Sequence, residues 1–407
     1  MTPYEVRQGT VPSLAGRVTP RVLLFSEARL HRSHDGSVSA IDAANGPGAW
    51  QQHRERLRGA RVAARVGGPD PEATVPLGDV AVQALPYFHR PRQLLRRSPV
   101  LMSALWSAVG HADFSVLRLP GAVSFAAGVV LRLRRRPYAV EVVGDPVSLL
   151  ASGASGPVGR VLAPVAGGVM RWVVRGAALG RYVTSSTLQS AYPVGPKASS
   201  HHYSNVALAA TDLVRVPRAF TGPARRLIAV GTQDQMYKGH DDLLRALALL
   251  DGAAGHTLTL VGDGRCHAEL RRLADELGLT GRVRFLGRVN DRTQLFDELD
   301  RADLFVQPSR TEGLPRALIE AMARGLPAVG TTVGGMPELL PPHVLAPAGR
   351  PDRLATVLEA LAASPADLTE ASEANLETAR DFDSENQENR VHGWLDAVAD
   401  FAEAGRP

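Results

Sequence analysis

Short apolar, often β-branched runs alternate along almost the whole chain with longer amphipathic or Ala/Leu-rich stretches, the pattern of parallel α/β sheets. In the first half it predicts strands near Val22–Ser26, Arg61–Val66, Phe114–Leu119, Ala139–Val143 and Arg181–Ser185, with helices between them, notably Val100–Gly110 and Ala122–Arg134. Residues 206–224 show no clear element and carry two prolines, which makes them the expected linker. The alternation then restarts. Strands are predicted at Leu227–Val230, Thr257–Val261, Val283–Leu286, Leu304–Gln307 and Ala328–Gly330, with helices from about Asp241 to Leu250 and from about Pro315 to Arg324. Proline is harmless in a first helical turn, where its missing N–H has no partner to lose. The expected architecture is α/β, two doubly wound, Rossmann-like domains facing across a cleft, residues 1–206 and 207–382. Ligands of such sheets sit at the carboxyl ends of the strands, so the loops there are where chemistry is sought.

Length agrees with two domains, since 407 residues exceed the ~250–300 at which one core usually stops growing. Hydrophobic residues make up 44% of the chain and mean hydropathy is −0.07. No run approaches the ~18 apolar residues a membrane span requires, and the N-terminus lacks a charged-then-apolar leader. Cys266 is the only cysteine, so no internal disulfide can form and a cytoplasmic setting is expected. Charge adds an asymmetry: residues 1–200 hold 24 Lys and Arg against 11 Asp and Glu, whereas residues 201–407 hold 22 against 30. A basic half can face nucleic acid, anionic lipid or an acidic substrate. Its clusters Arg90–Arg97 and Arg132–Arg136 have few interleaved aromatics, which argues against nucleic acid. A solvated basic face and peripheral attachment at the inner membrane face both remain open. Only Lys197 and Lys238 are lysines, so each is worth attention.

The first candidate site is Gln307-Pro-Ser-Arg-Thr-Glu312-Gly-Leu-Pro-Arg-Ala-Leu-Ile-Glu320. A strand ends in a Gly-containing turn that opens a helix, so the backbone N–H groups of Gly313, Leu314 and Arg316 face the cleft at the positive end of a helix dipole, a geometry that holds a diphosphate. A carboxylate beside an anion site repels the ligand unless it serves another group. Glu312 can accept hydrogen bonds from a sugar and Glu320 from a ribose diol; spacing alone equally allows two solvated helix acids. A second candidate, Gly231-Thr-Gln-Asp-Gln-Met-Tyr-Lys238-Gly239-His240, follows the first strand of the second domain. An ammonium there can stabilise charge developing on a leaving diphosphate.

The first segment resembles the E-x7-E signature of glycosyltransferase family 4, and Pro308-Ser309 and Thr332-Val-Gly-Gly-Met-Pro-Glu338-Leu match around it. The similarity runs from about Arg226 to Leu340. It implies the GT-B fold, a retaining transferase without a demonstrated enzyme nucleophile, Glu312 on the donor sugar and Glu320 on the nucleotide ribose. It also implies a catalytic, donor-contacting Lys238 in a turn beginning at Gly231, although Thr232 stands where the family often has Arg; either Arg316 supplies the second positive charge or the site manages with one. Leu260-Val-Gly262-Asp263-Gly264 resembles the family's Gly-acid-Gly turn, and Val283-Arg-Phe-Leu-Gly287-Arg288-Val289 resembles the strand and loop whose backbone faces the base. The last helix, within about 383–407, is similar in placement to the one that crosses back onto the first domain.

The first domain matches less. For the family's Gly-rich acceptor loop it offers His34-Asp35-Gly36-Ser37, with Asp35 and Gly36 as expected contacts, and where the family has His it has Glu141-Val-Val-Gly144-Asp145-Pro146. Asp145 either orients or deprotonates an acceptor or caps the next segment; Arg118 either holds an acidic acceptor group or makes a structural ion pair. His201-His202 would face opposite sides of a strand, no His/Cys cluster exists, and Asp381-Phe-Asp383 lies beyond the last strand of the second domain, so no metal is expected. The expected function is a metal-independent, cofactor-free glycosyltransferase moving a sugar from a nucleoside-diphosphate donor to a saccharide, lipid-linked or small-molecule acceptor, in polysaccharide or specialised-metabolite biosynthesis. A sugar-nucleotide epimerase and a catalytically silent transferase partner are the alternatives.

Overall fold

A computed structural model describes residues 21–404 except 42–44, 58, 90, 152–155, 251 and 253–254. Residues 1–20 of the expected first domain, Arg90 of the first arginine cluster and residues 405–407 of the expected last helix therefore lie outside the described residues. The first sheet contains β1 (Val22–Arg32), β2 (Val38–Ala40), β3 (Arg61–Gly67), β4 (Val75–Pro76), β5 (Val82–Pro86), β6 (Phe114–Leu119), β7 (Ala139–Val142), β8 (Leu179–Tyr182) and β9 (Ser199–His202). Its parallel part runs β5-β3-β1-β6-β7-β8-β9, with β2 and β4 added antiparallel along the far end of β1. The second sheet contains β10 (Arg226–Val230), β11 (Thr257–Val261), β12 (Val283–Gly287), β13 (Leu304–Gln307), β14 (Ala328–Thr331) and β15 (Leu345–Ala346), in the order β12-β11-β10-β13-β14-β15, all parallel. That order is the doubly wound one, with its reversal between β10 and β13.

Burial explains why the central strands read as unbroken apolar runs. Every residue of β7, β8, β13 and β14 is buried, because helices cover both faces of a parallel sheet. Two apolar clusters flank the first sheet. One contains Leu101, Val130 and Val173 from three helices; the other is closed by Trp394, Leu395 and Val398 of the helix Ser384–Ala404, which returns from the end of the chain. A single cluster around Ile228, Leu304 and Ile319 forms the second core. No helix or strand spans residues 204–225.

The helix expected at Val100–Gly110 begins at Pro91, β5 and β9 were not expected, and three further differences bear on the candidate residues. The first strand does not stop at Ser26: its pairing register slips between Phe25 and Arg29, and it continues to Arg32. The loop expected at His34-Asp35-Gly36-Ser37 is the tip of the β1–β2 hairpin, with Leu30 opposite Ala40 and Gly36 at φ +87°. Asp-Gly between alternating apolar residues is a strong hairpin signal, and it outweighs the glycine-loop resemblance. The strand expected at 181–185 occupies Leu179–Tyr182, because the backbone beyond Val183 turns away and donates its N–H groups to a carboxylate of the other domain.

Candidate functional site

The loops after β10 and β13 meet at the strand-order reversal, where residues from both line a cavity of about 400 Å³: Gly231, Thr232, Tyr237 and Lys238 from one, Gln307, Glu312, Leu314 and Pro315 from the other. Arg316, Ala317 and Glu320 on the helix Arg316–Ala323 complete it. That helix has Pro315 at its N-cap and no side-chain cap, so the N–H groups of its first turn are available to a ligand anion.

Lys238 is fixed by the turn that carries it. Gly239 sits at φ +71°, and a Cβ there would lie 2.0 Å from the Pro308 carbonyl oxygen, so only glycine lets the two loops pack. Arg310 locks the arrangement: its backbone N–H donates to Tyr237 O at 2.7 Å, its Nη1 to Met236 O at 2.9 Å, and its remaining donors hold Asp241 and Asp242 in the first turn of the helix His240–Leu249. Burial and the Lys238 charge bring the His240 imidazole down to about 4, which keeps it neutral beneath the loop.

Lys238 Nζ donates to Glu312 Oε1 at 2.7 Å. Ser309 Oγ, at 2.7 Å, and Gln307 Nε2, at 3.1 Å, donate to the same oxygen. Three donors thus saturate Oε1, and none of the described hydrogen bonds engages Oε2, which remains for a ligand hydroxyl. Glu320 lies on the same wall; burial pushes its carboxyl up, while Arg292, 3.8 Å away, and Arg316 pull it down.

The structure therefore brings Lys238, Glu312, Leu314, Arg316, Glu320 and Gly231 together. It does not bring all the other donor-site expectations into the cavity wall. Gly262, Asp263 and Gly264 stand behind it: a Cβ on Gly262 would lie 1.9 Å from Gly231 O, and Gln233 N donates to Asp263 O at 2.9 Å. This turn shapes the Gly231 loop from behind. Arg288 and Val289, after β12, are also outside the lining, and Gly313 packs against the Val143 carbonyl of the first domain.

In the first domain the geometry favours the structural alternatives. Asp145 accepts from Val147 N at 2.9 Å, from Ser148 N and Oγ, and from the Tyr192 hydroxyl; these bonds hold its carboxyl below its usual range despite burial. It caps the helix Pro146–Ala151 with both oxygens engaged. Arg118 Nε donates to the buried Glu141 at 3.0 Å, in a row that continues to Arg181 on β8. Burial opposes the Glu141 charge, and Arg118 with His53 and Arg181 overcomes it, holding the carboxyl well below its ordinary range. Asp35 is exposed and bonds Ser37 within its own turn. Asp381 and Asp383 flank the start of the last helix, where Asp383 accepts from Asn386 N. No group of His, Cys, Asp and Glu suited to a metal occurs among the described residues, and no helix of theirs is long and apolar enough to cross a membrane.

In the sequence Gln307, Ser309 and Arg310 stood only as members of the first motif, although Asp241-Asp242, one residue beyond Lys238-Gly239, signals the need for a buried cation. Glu338, too, stood only within a motif. Glu338 crosses between domains, accepting from Ser185 N and Oγ at 2.7 Å, Ser186 N and Oγ at 3.1 Å and Thr187 N at 2.5 Å. Burial works against the charge, and these donors bring its carboxyl down to about 2.

Residues 224–364 match the family described as Glycosyl transferases group 1. The chain is 31% identical over 272 residues to the GDP-mannose-dependent alpha-(1-6)-phosphatidylinositol monomannoside mannosyltransferase of Mycobacterium tuberculosis, covering 57% of this chain and 69% of that protein. It is 26% identical over 250 residues to Protein CapJ of Staphylococcus aureus; the match covers 61% of this chain and 62% of CapJ, less than two thirds of its length. Among solved structures, Anabaena HepE in complex with UDP-glucose superposes with a TM-score of 0.61 at 17% identity, over 92% of this chain and 99% of that one, a likeness of fold.

Proposed function

Because the chain belongs to glycosyltransferase family 4, we propose that the β10/β13 cavity binds a nucleoside-diphosphate sugar and that the protein transfers the sugar to an acceptor held by the first domain. The observation that carries this reading is the Lys238–Glu312 pair beside an uncapped helix N-terminus. Relatives named for GDP-mannose and a structural neighbour holding UDP-glucose support a nucleoside-diphosphate donor and leave its base to experiment.

Each group has a task. Lys238 exchanges Glu312 for the diphosphate and, with Arg316 and the helix N–H groups, stabilises the negative charge that grows as the glycosidic bond to phosphate breaks. Glu312, released from Lys238 but still held by Ser309 and Gln307, accepts from sugar hydroxyls. Glu320 accepts from the ribose diol. Thr232, in the position where Arg is common in the family, adds no charge, so Arg316 carries the second positive one. Enclosure between the domains excludes water that would hydrolyse the activated sugar. Retention of anomeric configuration is what the family resemblance implies; among the described residues only Glu312 and Glu320 bring carboxylates to the cavity, both are assigned to ligand hydroxyls, and no enzyme nucleophile is assigned.

Thermal unfolding with UDP, GDP and their sugars tests the reading, since a ligand at 100 times its Kd stabilises the folded state by about 2.7 kcal/mol. One nucleotide class is expected to raise the transition. Lys238→Ala is expected to cut donor turnover by about 100- to 1,000-fold, and Glu312→Ala comparably. Turnover intact in both variants would sink the assignment.

A further inference from the structure

Three helices of the first domain, Pro91–His111, Ala122–Leu133 and Gly156–Arg175, cover one face of its sheet and share one apolar core. Neither they nor the Arg134–Arg136 turn contains an Asp or Glu, yet together they hold ten arginines. Their outer side is apolar as well. On Gly156–Arg175 the exposed residues Val158, Val161, Leu162, Val165 and Trp172 follow helical spacing as one stripe, while Ala163, Met170, Val173 and Val174 face the core. Val161 is 75% exposed and Val165 62%. Leu95, Val100 and Trp106 on the first helix and Leu133 on the second extend this surface. Two half-exposed tryptophans join the helices: Arg134 stacks over Trp106 at 4.7 Å and Arg132 over Trp172 at 4.5 Å.

We propose that this face docks on an anionic lipid bilayer, with the aliphatic stripe in the headgroup–acyl boundary and the arginines on lipid phosphates. Exposed apolar surface of this extent needs a partner, and charge decides which. A symmetric contact with a second copy would set the exposed arginines of these helices against their own copies, with no carboxylate of the three helices between them. An anionic bilayer offers apolar depth, negative charge and an interfacial zone that suits tryptophan. Arg160, on the apolar helix, also lines an interdomain cavity of about 590 Å³ with Ser148, Ala151, Arg310, Ala348 and Gly349, so the docked face adjoins the space between the domains.

The test is sedimentation of the full chain with vesicles of phosphatidylcholine, or of phosphatidylcholine mixed with phosphatidylglycerol, at low and physiological salt, without donor or acceptor. It is therefore independent of the transferase reading. Binding to the phosphatidylglycerol vesicles is expected, with a blue shift of tryptophan emission. The double variant Val161→Asn/Val165→Asn, with charge unchanged, and Arg160→Gln/Arg175→Gln are each expected to weaken it by at least about tenfold while unfolding at the wild-type temperature. Equal binding to both vesicles, binding to neither, or wild-type affinity in the Asn variant overturns the proposal. So does concentration-dependent dimerisation that the Asn variant abolishes, which would make the face an interface between copies.

Discussion

Both sheets reverse their strand order at one point, and the chain treats the two points in opposite ways. In the second domain, β10 and β13 end in loops that leave a cavity, a cation and a helix N-terminus without a side-chain cap. In the first, the reversal lies between β1 and β6, and the protein fills it with its own carboxylate. Glu27 Oε1 accepts from Val123 N at 2.7 Å and Ser124 N at 3.3 Å, at the start of the helix Ala122–Leu133, with Arg65 3.4 Å away. Burial pushes the Glu27 carboxyl up, against the pull of Arg65 and the helix N–H groups. A place that topology makes fit for an anion is left open to the cavity in one domain and closed by an internal carboxylate in the other. Shared fold thus fixes where a site can be, and the loop residues decide whether one exists.

The sharpest way to break this contrast is Gly239→Ala. Its Cβ would meet the Pro308 carbonyl at 2.0 Å, and φ +71° costs a non-glycine residue about 1–2 kcal/mol. Lys238 would move away from the cavity, and donor affinity measured by calorimetry is expected to fall more than about tenfold. Wild-type affinity would mean that the loop packing does not create the site.

Glu27→Ala probes the other reversal. It leaves the Val123 and Ser124 N–H groups without their acceptor and Arg65 without its counter-charge, a loss of about 1–3 kcal/mol. Expected outcomes are a lower unfolding temperature and unchanged donor affinity. A variant that binds donor less tightly at full stability would show that the two reversal points are coupled.

The same contrast governs what the sequence could reveal. β6, β11 and β13 coincide with their expected spans, because strands covered on both faces are continuous apolar runs. In the second domain spacing alone left Glu312 and Glu320 open to a reading as solvated helix acids, and it was the resemblance of the surrounding motifs to a family signature that marked them and Lys238. The partners that orient them were harder to see, since Ser309, Gln307 and Arg310 act through hydrogen bonds between loops distant in sequence. The first domain carried a different kind of signal. Glu27 reads as an ordinary polar residue ending a strand, and only the slip between Phe25 and Arg29 places it on a helix N-terminus. Glu141 sits in a strand like any other residue, and its charge is compensated by Arg118 and Arg181, on strands separated from it by whole helices.

Glu338 joins the two regions, and its expected effect is the smallest because it is only half buried and solvent screens it. Five donors from Ser185, Ser186 and Thr187 hold its carboxyl down to about 2, against an ordinary 4.5. A carboxyl whose folded value is depressed adds stability at pH above its unfolded value, and that contribution disappears as pH falls through the folded one. The window here is about 4.5 down to about 2. Glu338→Gln keeps the size of the side chain and removes its charge. The variant should unfold at a lower temperature than the wild type near neutral pH, and the difference should shrink as pH falls through that window. A gap that stays constant would mean that the charge of Glu338 does not hold the domains together, leaving Gly313 against Val143 as the contact that positions the donor loop on the first domain.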